Sequence, residues 1–199
     1  MMRYIFDANI FIQAEHDFYD FEIVPGFWEF IDKKTQDKTI YSLINVFDEL
    51  VYNRGQSKKK DAIEEWAIKA SHSGLFMEIH PDAIQHVTVI NDFIHQRFET
   101  HHADVFLEGA DPYLIAQAKL DGSSVVTFEK ISFNNVKILK GGKKPLDNAV
   151  KIPDICKCFE VRCINLFEAL RELKPEFVLK NGKEWTELYN KANQIKKKS

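Results

Sequence analysis

The chain has 199 residues, 45% of them hydrophobic and 13% aromatic, with sixteen phenylalanines. That supports one sizeable core and excludes an intrinsically disordered protein. A formal net charge of −3 and a pI near 6.2 exclude a global basic field, so any contact with nucleic acid has to be local.

RYIF at 3–6 reads as a short buried strand and is followed by helical signals over 8–15. FYDFEIVPGFWEFIDKK breaks at Pro25-Gly26 and restarts as a helix with Phe27, Phe30 and Ile31 on one face. Its aromatic residues are expected in the core, with a binding surface as the alternative. TIYS at 39–42 is a second strand, and a helix over about 44–53 stops near Gly55. Lys58, Lys59 and Lys60 open a helix that carries Ile63, Trp66 and Ala67. LFMEI at 75–79 reads as a strand. From Asp82, the residues Ile84, Val87, Ile90 and Ile94 have helical spacing that extends to Phe98.

GADPYLIAQAKLDGSSVVTFEK is the clearest local signal. Asp111 stands where an N-cap would, Pro112 suits the first helical position and Gly122 closes the helix. SVVTF at 124–128 is a buried strand by its β-branched content. KGGKKPLDN at 140–148 reads as a turn-rich loop, KIPDICKCF as a helix, VRCI as a strand and NLFEALREL as a helix. The tail reads as a peripheral helix ending in lysines. The expected organisation is one domain over 1–175 with a helical extension over 176–199. Short apolar strands alternating with helices argue for an α/β fold, three layers around a mainly parallel sheet.

No apolar run approaches the roughly 20 residues needed to span a bilayer. The start, MMRYIFD, has neither the apolar stretch nor the cleavage site of a secretory signal, so a cytoplasmic protein without membrane contact is expected. Cys156, Cys158 and Cys163 fall within CKCFEVRC. An odd count suits a reducing compartment. A zinc site would need a fourth Cys or His ligand and usually wider spacing in the first pair. Buried free thiols on a helix and the following strand are the expectation.

The acids carry the chemistry. Asp7 sits among apolar residues in YIFDANIFI, where an ionised carboxylate needs a partner such as a helix N-terminus or a cation. Asp7 follows the first strand and Glu129 the SVVTF strand, which puts both at the carboxyl edge of the sheet, where open α/β folds bind ligands. Asp111 opens the preceding helix, and Glu49 lies on the helix after TIYS. Carboxylates gathered there repel one another unless a cation neutralises them, and oxygen-only ligands suit Mg²⁺ or Mn²⁺. Taken singly, Asp111 could be only a cap and Glu49 only a solvated helix residue.

The order of these motifs resembles a PIN domain, the nuclease-like α/β domain of many bacterial toxins and RNA-processing proteins. FDANIFI matches its strand running into Asp-x-Asn, DELV its Glu-Leu, GADPYLIAQA its Asp opening an Ala-rich helix, and VVTFEK its strand ending in Thr-x-acid. The resemblance covers about 3–170. FYDFEIVPGFW, GADPYLIAQA and KIPDICKCFEVRCI resemble more narrowly the DUF4411 group of bacteria and archaea. Two departures stand out. The fourth acid is Glu129 where the pattern has Asp. On the Glu49 helix, Ile44, Phe47, Leu50 and Val51 share a face nearer to Asp48, which is therefore a substitute for Glu49. Asp147 and Asp154 are further acids that could complete the site, with helix capping the plainer role for Asp154.

The resemblance implies metal-dependent hydrolysis of RNA phosphodiester bonds, with Asp7, Glu49, Asp111 and Glu129 as catalytic acids. Asp7, Asp111 and Glu129 would hold the metal, and Asn9 and Thr127 would orient them. It also implies an antitoxin protein that covers the acids, and it admits a homodimer. Phosphate contacts would fall to Arg54, Lys58, Lys59, Lys60, Lys130, Lys143 and Lys144. His95, His101 and His102 with Asp104 raise a transition-metal site, but they lack the i, i+4 helical pairing, and a polar helix end is the preferred reading. Two rivals remain. One is a non-catalytic PIN-like module binding RNA or protein. The other is a Mg²⁺ phosphatase, against which stands Asn9 where an aspartyl phosphatase has its second Asp.

Overall fold

The computed structural model describes residues 2–52, 62–133, 136–141 and 144–177. Five strands form one sheet: β1 (Tyr4–Phe6), β2 (Ile40–Leu43), β3 (Phe76–Met77), β4 (Ser124–Val126) and β5 (Cys163–Ile164). All neighbours are parallel and the order is β3-β2-β1-β4-β5. The three central strands are buried along their whole length, as strands covered by helices on both faces must be. This is the three-layer α/β/α arrangement expected from the alternating pattern. The order reverses between β1 and β4, so their carboxyl ends flank the crevice where such sheets hold ligands.

The helices are α1 (Ala8–Gln13), α2 (Pro25–Gln36), α3 (Ile44–Val51), α4 (Ala62–Ser71), α5 (Ile84–Arg97), α6 (Thr100–Glu108), α7 (Asp111–Asp121), α8 (Val136–Gly141), α9 (Ile152–Cys158) and α10 (Leu166–Leu173). A π-helical turn, Ala14–Phe18, extends α1, and a 3₁₀ turn, Pro81–Ala83, leads into α5. α7 packs on β1, β2 and β4, while α3 packs on α1, α4, β2 and β3. Pro25 begins α2 because its missing N–H costs nothing at a first helical position. Gly122 ends α7 at φ 73, the left-handed conformation that a residue without Cβ adopts freely. Asn165 caps α10, its side chain accepting the Glu168 amide at 2.9 Å while Glu168 accepts the Asn165 amide at 3.0 Å.

The core fills both faces with Phe6, Phe11, Phe27 and Phe98 fully buried. Each such ring contributes about 1.5–3 kcal/mol by leaving water. The 18–28 aromatic segment is mainly core: Tyr19 stacks on Phe27 at 4.4 Å, Phe21 on Trp28 at 4.1 Å, and the Trp28 indole donates to the Tyr19 carbonyl at 2.7 Å. Phe177 lies against Tyr19, Phe27 and Phe30. The rest of the expected C-terminal helix, 178–199, and the start of the Lys58–Lys60 helix lie outside the described residues.

The helix from Asp82 ends at Phe98 as expected, and α6, which the sequence reading did not assign, follows as a separate element. Two expectations need correction. Part of KGGKKPLDN is helical, because α8 runs through Gly141. Asp111 is the first residue of α7 rather than its cap; Ala110 occupies the cap position and Pro112 comes second in the helix.

Candidate functional site

Asp7 follows β1 directly, its backbone amide bonded to the Val126 carbonyl at 3.0 Å. It precedes α1, but its side chain does not cap that helix. The carboxylate is buried at 4% exposure and accepts the Thr127 hydroxyl at 2.8 Å. Thr127 in turn accepts the Asn9 side-chain amide at 2.9 Å and the Glu129 backbone amide at 3.1 Å. Asn9 accepts the Phe128 amide at 3.0 Å. One hydroxyl with its donor and both acceptor positions used thus locks Asp7 to the turn after β4. Burial pushes the Asp7 carboxyl up to about 7; the Thr127 hydroxyl draws it down, and negative Glu129 and Glu49 add to the rise.

Asp111 reaches the same place from the start of α7. Burial raises its carboxyl well above the ordinary value, followed by the charges of Asp7, Glu129 and Glu49, with Lys151 opposing. No described residue hydrogen-bonds its side chain. Glu49 accepts the Ala110 amide at 2.7 Å, and burial raises its carboxyl too. Gly109 makes this approach possible, since a Cβ there would lie 3.2 Å from the Glu49 carboxylate. Glu129 is engaged at both oxygens, by the Lys151 ammonium at 2.8 Å and the Ile152 amide at 2.7 Å. The structure therefore brings Asp7, Glu49, Asp111 and Glu129 into one negatively charged cup at the crevice between β1 and β4. These carboxylates do not bring three ligand oxygens within 4.8 Å of one another, and Glu129 already has a cationic partner in Lys151, so they would have to close in to hold a hard divalent cation.

Asp48 is exposed and Glu49 half-buried, so the helix presents the residue that the motif favours rather than the one its periodicity left open. Asp154 is fully buried but outside the cup: it accepts the Ser132 and Phe133 amides and fastens the chain after β4. Asp147 lies beside His101 and His102, whereas Asp104 is exposed and does not join them. Lys130 and Lys144 are exposed; Arg54, Lys58, Lys59, Lys60 and Lys143 lie outside the described residues. Cys156 and Cys158 are buried free thiols on α9, and Cys163 on β5 is partly buried.

Sequence reasoning missed Lys151. Its signal was the lysine of KIPDIC immediately before a helix, in a chain whose acids needed a counter-charge. Its ammonium is favoured by the Glu129 hydrogen bond, then by the charges of Glu129, Asp111 and Asp154, against its own partial burial. Asp111, Glu129, Lys151 and His102 line a recess of about 180 Å³. A wider cleft of about 690 Å³ runs from Glu129 and Lys130 past Phe128 and Phe167. Phe18, Phe128 and Phe167 form an aromatic cluster there, with centroids 5.4–5.9 Å apart, and Phe18 and Phe167 are exposed.

No curated protein matches the sequence. Among solved structures, one chain of VapBC2 from Rickettsia felis, bound to a DNA fragment from its promoter, matches with a TM-score of 0.47 and 18% identity. The match covers 82% of this chain and 98% of that one. Residues 4–177 match the family described as Domain of unknown function (DUF4411), which takes in every described strand and helix. The chain belongs to the DUF4411 family.

Proposed function

We propose that the protein is a metal-dependent ribonuclease of PIN type, hydrolysing RNA phosphodiester bonds with Mg²⁺ or Mn²⁺. The observation that carries this reading is the gathering of Asp7, Glu49, Asp111 and Glu129 at the crevice, where burial first and then the charges of Glu129 and Glu49 raise Asp7 to about 7. Two of these acids are more than 100 residues apart along the chain, and evolution has few reasons to bury like charges together except to hold a cation. A divalent ion held there supplies Lewis acidity and a water activated for attack on phosphorus.

The chain's own residues have distinct tasks in this reading. Asp7 and Asp111 offer the ligand oxygens. Thr127 and Asn9 hold Asp7 in one orientation, and Ala110 does the same for Glu49. Glu129 holds Lys151 at the rim, where the ammonium meets a substrate phosphate. Bases of a single strand stack on Phe18, Phe128 and Phe167 in the cleft beside the acids. A partner protein that covers the cup silences the enzyme, the toxin–antitoxin arrangement that the motif resemblance implies.

The test is cleavage of single-stranded RNA by the full chain with Mg²⁺, Mn²⁺ or chelator, alongside Asp7→Asn and Asp111→Asn. Cleavage that needs metal and disappears in both folded variants is expected. Equal behaviour of wild type and variants sinks the enzyme reading. RNA binding that persists in that case favours the non-catalytic module, a rival supported by the engagement of both Glu129 oxygens.

A further inference from the structure

We propose that His101, His102 and Asp147 form a second cation site, for a borderline-soft transition ion such as Zn²⁺, distinct from the acidic cup. The Asp147 carboxylate lies 3.2 Å from His102 Nε2 and 3.6 Å from His101 Nε2, and one donor atom from each residue falls within a 4.8 Å cluster. Ligand atoms around a tetrahedral zinc with bonds near 2.1 Å sit about 3.4 Å from one another. Two imidazoles and one carboxylate are a donor set for zinc-like ions, whereas magnesium favours oxygen alone.

The position is built by the backbone rather than by chance contact of surface side chains. Leu146 bridges to Phe98: its amide donates to the Arg97 carbonyl at 2.8 Å, and its carbonyl accepts the Glu99 amide at 3.0 Å. Asp147 is the next residue on one side of this bridge. His101 and His102 follow on the other, at the start of α6, where the His102 amide returns to the Glu99 carbonyl at 2.9 Å. Both halves of the site are therefore held in register before any ion arrives. His101 and Asp147 are largely exposed, so an ion enters from solvent and keeps open positions for water.

The site has a consequence for the cup. His102 also lines the recess shared by Asp111, Glu129 and Lys151. An ion at the histidines ties α6 to the segment that leads into Lys151 and Ile152, the two groups that hold Glu129.

The test is Co²⁺ titration of the full chain, followed by visible d–d absorption and calorimetry, with competition by Zn²⁺ and Mg²⁺. With excess Mg²⁺ present to occupy the cup, one Co²⁺ per chain in a four- or five-coordinate environment is expected, displaced by Zn²⁺. His102→Ala and Asp147→Asn weaken it at least about tenfold, while Asp7→Asn leaves it unchanged. Circular dichroism of the variants confirms that these surface changes leave the fold intact. Absence of the absorption band overturns the site. So does a band that survives both His102→Ala and Asp147→Asn, or one lost in Asp7→Asn, which puts the ion in the cup. Half an equivalent per chain also overturns it, since the ion would then be shared between two copies.

Discussion

The two ends of the sheet treat charge in opposite ways. At the amino ends of the strands, two acids are firmly paired. Asp121 accepts Arg3 at 3.1 Å, the Tyr41 hydroxyl at 2.7 Å and the Ser123 amide at 3.0 Å. Glu172 pairs with Arg162 and accepts the Tyr4 hydroxyl at 2.7 Å, and these contacts hold its carboxyl below the ordinary value. At the carboxyl ends, Asp7, Glu49 and Asp111 are all raised, chiefly by burial and then by neighbouring charge: Glu129 and Glu49 for Asp7, and Asp7, Glu129 and Glu49 for Asp111. One end contributes to holding the fold; the other costs stability, and the cost is concentrated at the crevice that α/β sheets use for ligands.

Breaking the crowded end gives the largest effect. Asp7→Asn or Asp111→Asn lowers metal-dependent RNA cleavage about 10²–10³-fold, the scale of losing one group that manages transition-state charge. Neither variant is less stable than wild type without metal, as thermal unfolding will record. A variant that unfolds on losing its charge contradicts the comparison. Thr127→Val is milder: with its Asp7 contact gone, metal affinity or cleavage falls about 10–100-fold in metal titrations.

The contrast sharpens with pH. Folding lifts Asp7 from 3.8 to about 7, so the folded state holds that proton more tightly than the unfolded chain. The resulting stabilisation is complete below about pH 4 and is lost as the pH rises through about 7, with a ceiling on the order of 4 kcal/mol. Metal-free protein therefore melts at lower temperature at about pH 8 than at about pH 5. Mg²⁺ or Mn²⁺ restores more at the higher pH, and Asp7→Asn flattens the slope. A slope unchanged in Asp7→Asn assigns the titration to another group.

The smallest effect comes from the paired end. Asp121→Ala removes four hydrogen-bond acceptances, from Arg3, Tyr41, Gln117 and Ser123, and destabilises the protein by about 1–2 kcal/mol, read by denaturant unfolding. Cleavage by the remaining folded protein is unchanged.

Much of the fold was legible because its strands are buried on both faces and so read as apolar runs between turn residues, as RYIF and SVVTF do. The positions of Asp7 and Glu129 followed from those strand ends alone. Other features were masked by competing signals. The loud GADP motif left α6 unread between Phe98 and Gly109, although Ala103, Phe106 and Leu107 have helical spacing there. Periodicity could not separate Glu49 from Asp48, because the loop at Gly109–Ala110 takes up Glu49 on a side that an isolated helix would show to water. Lys151 and the meeting of Asp147 with His101 and His102 depend on tertiary contacts across 22 and more than 40 residues. No local pattern encodes such contacts.

The brevity of the outer strands has a consequence for assembly. β3 and β5 are two residues long, and each is followed by a turn or helix that draws the chain away. Rows that short give a neighbouring polypeptide almost nothing to ladder onto, which protects against fibrillar growth. Among the described residues, the helical exterior rather than the sheet edges is the surface open to self-association.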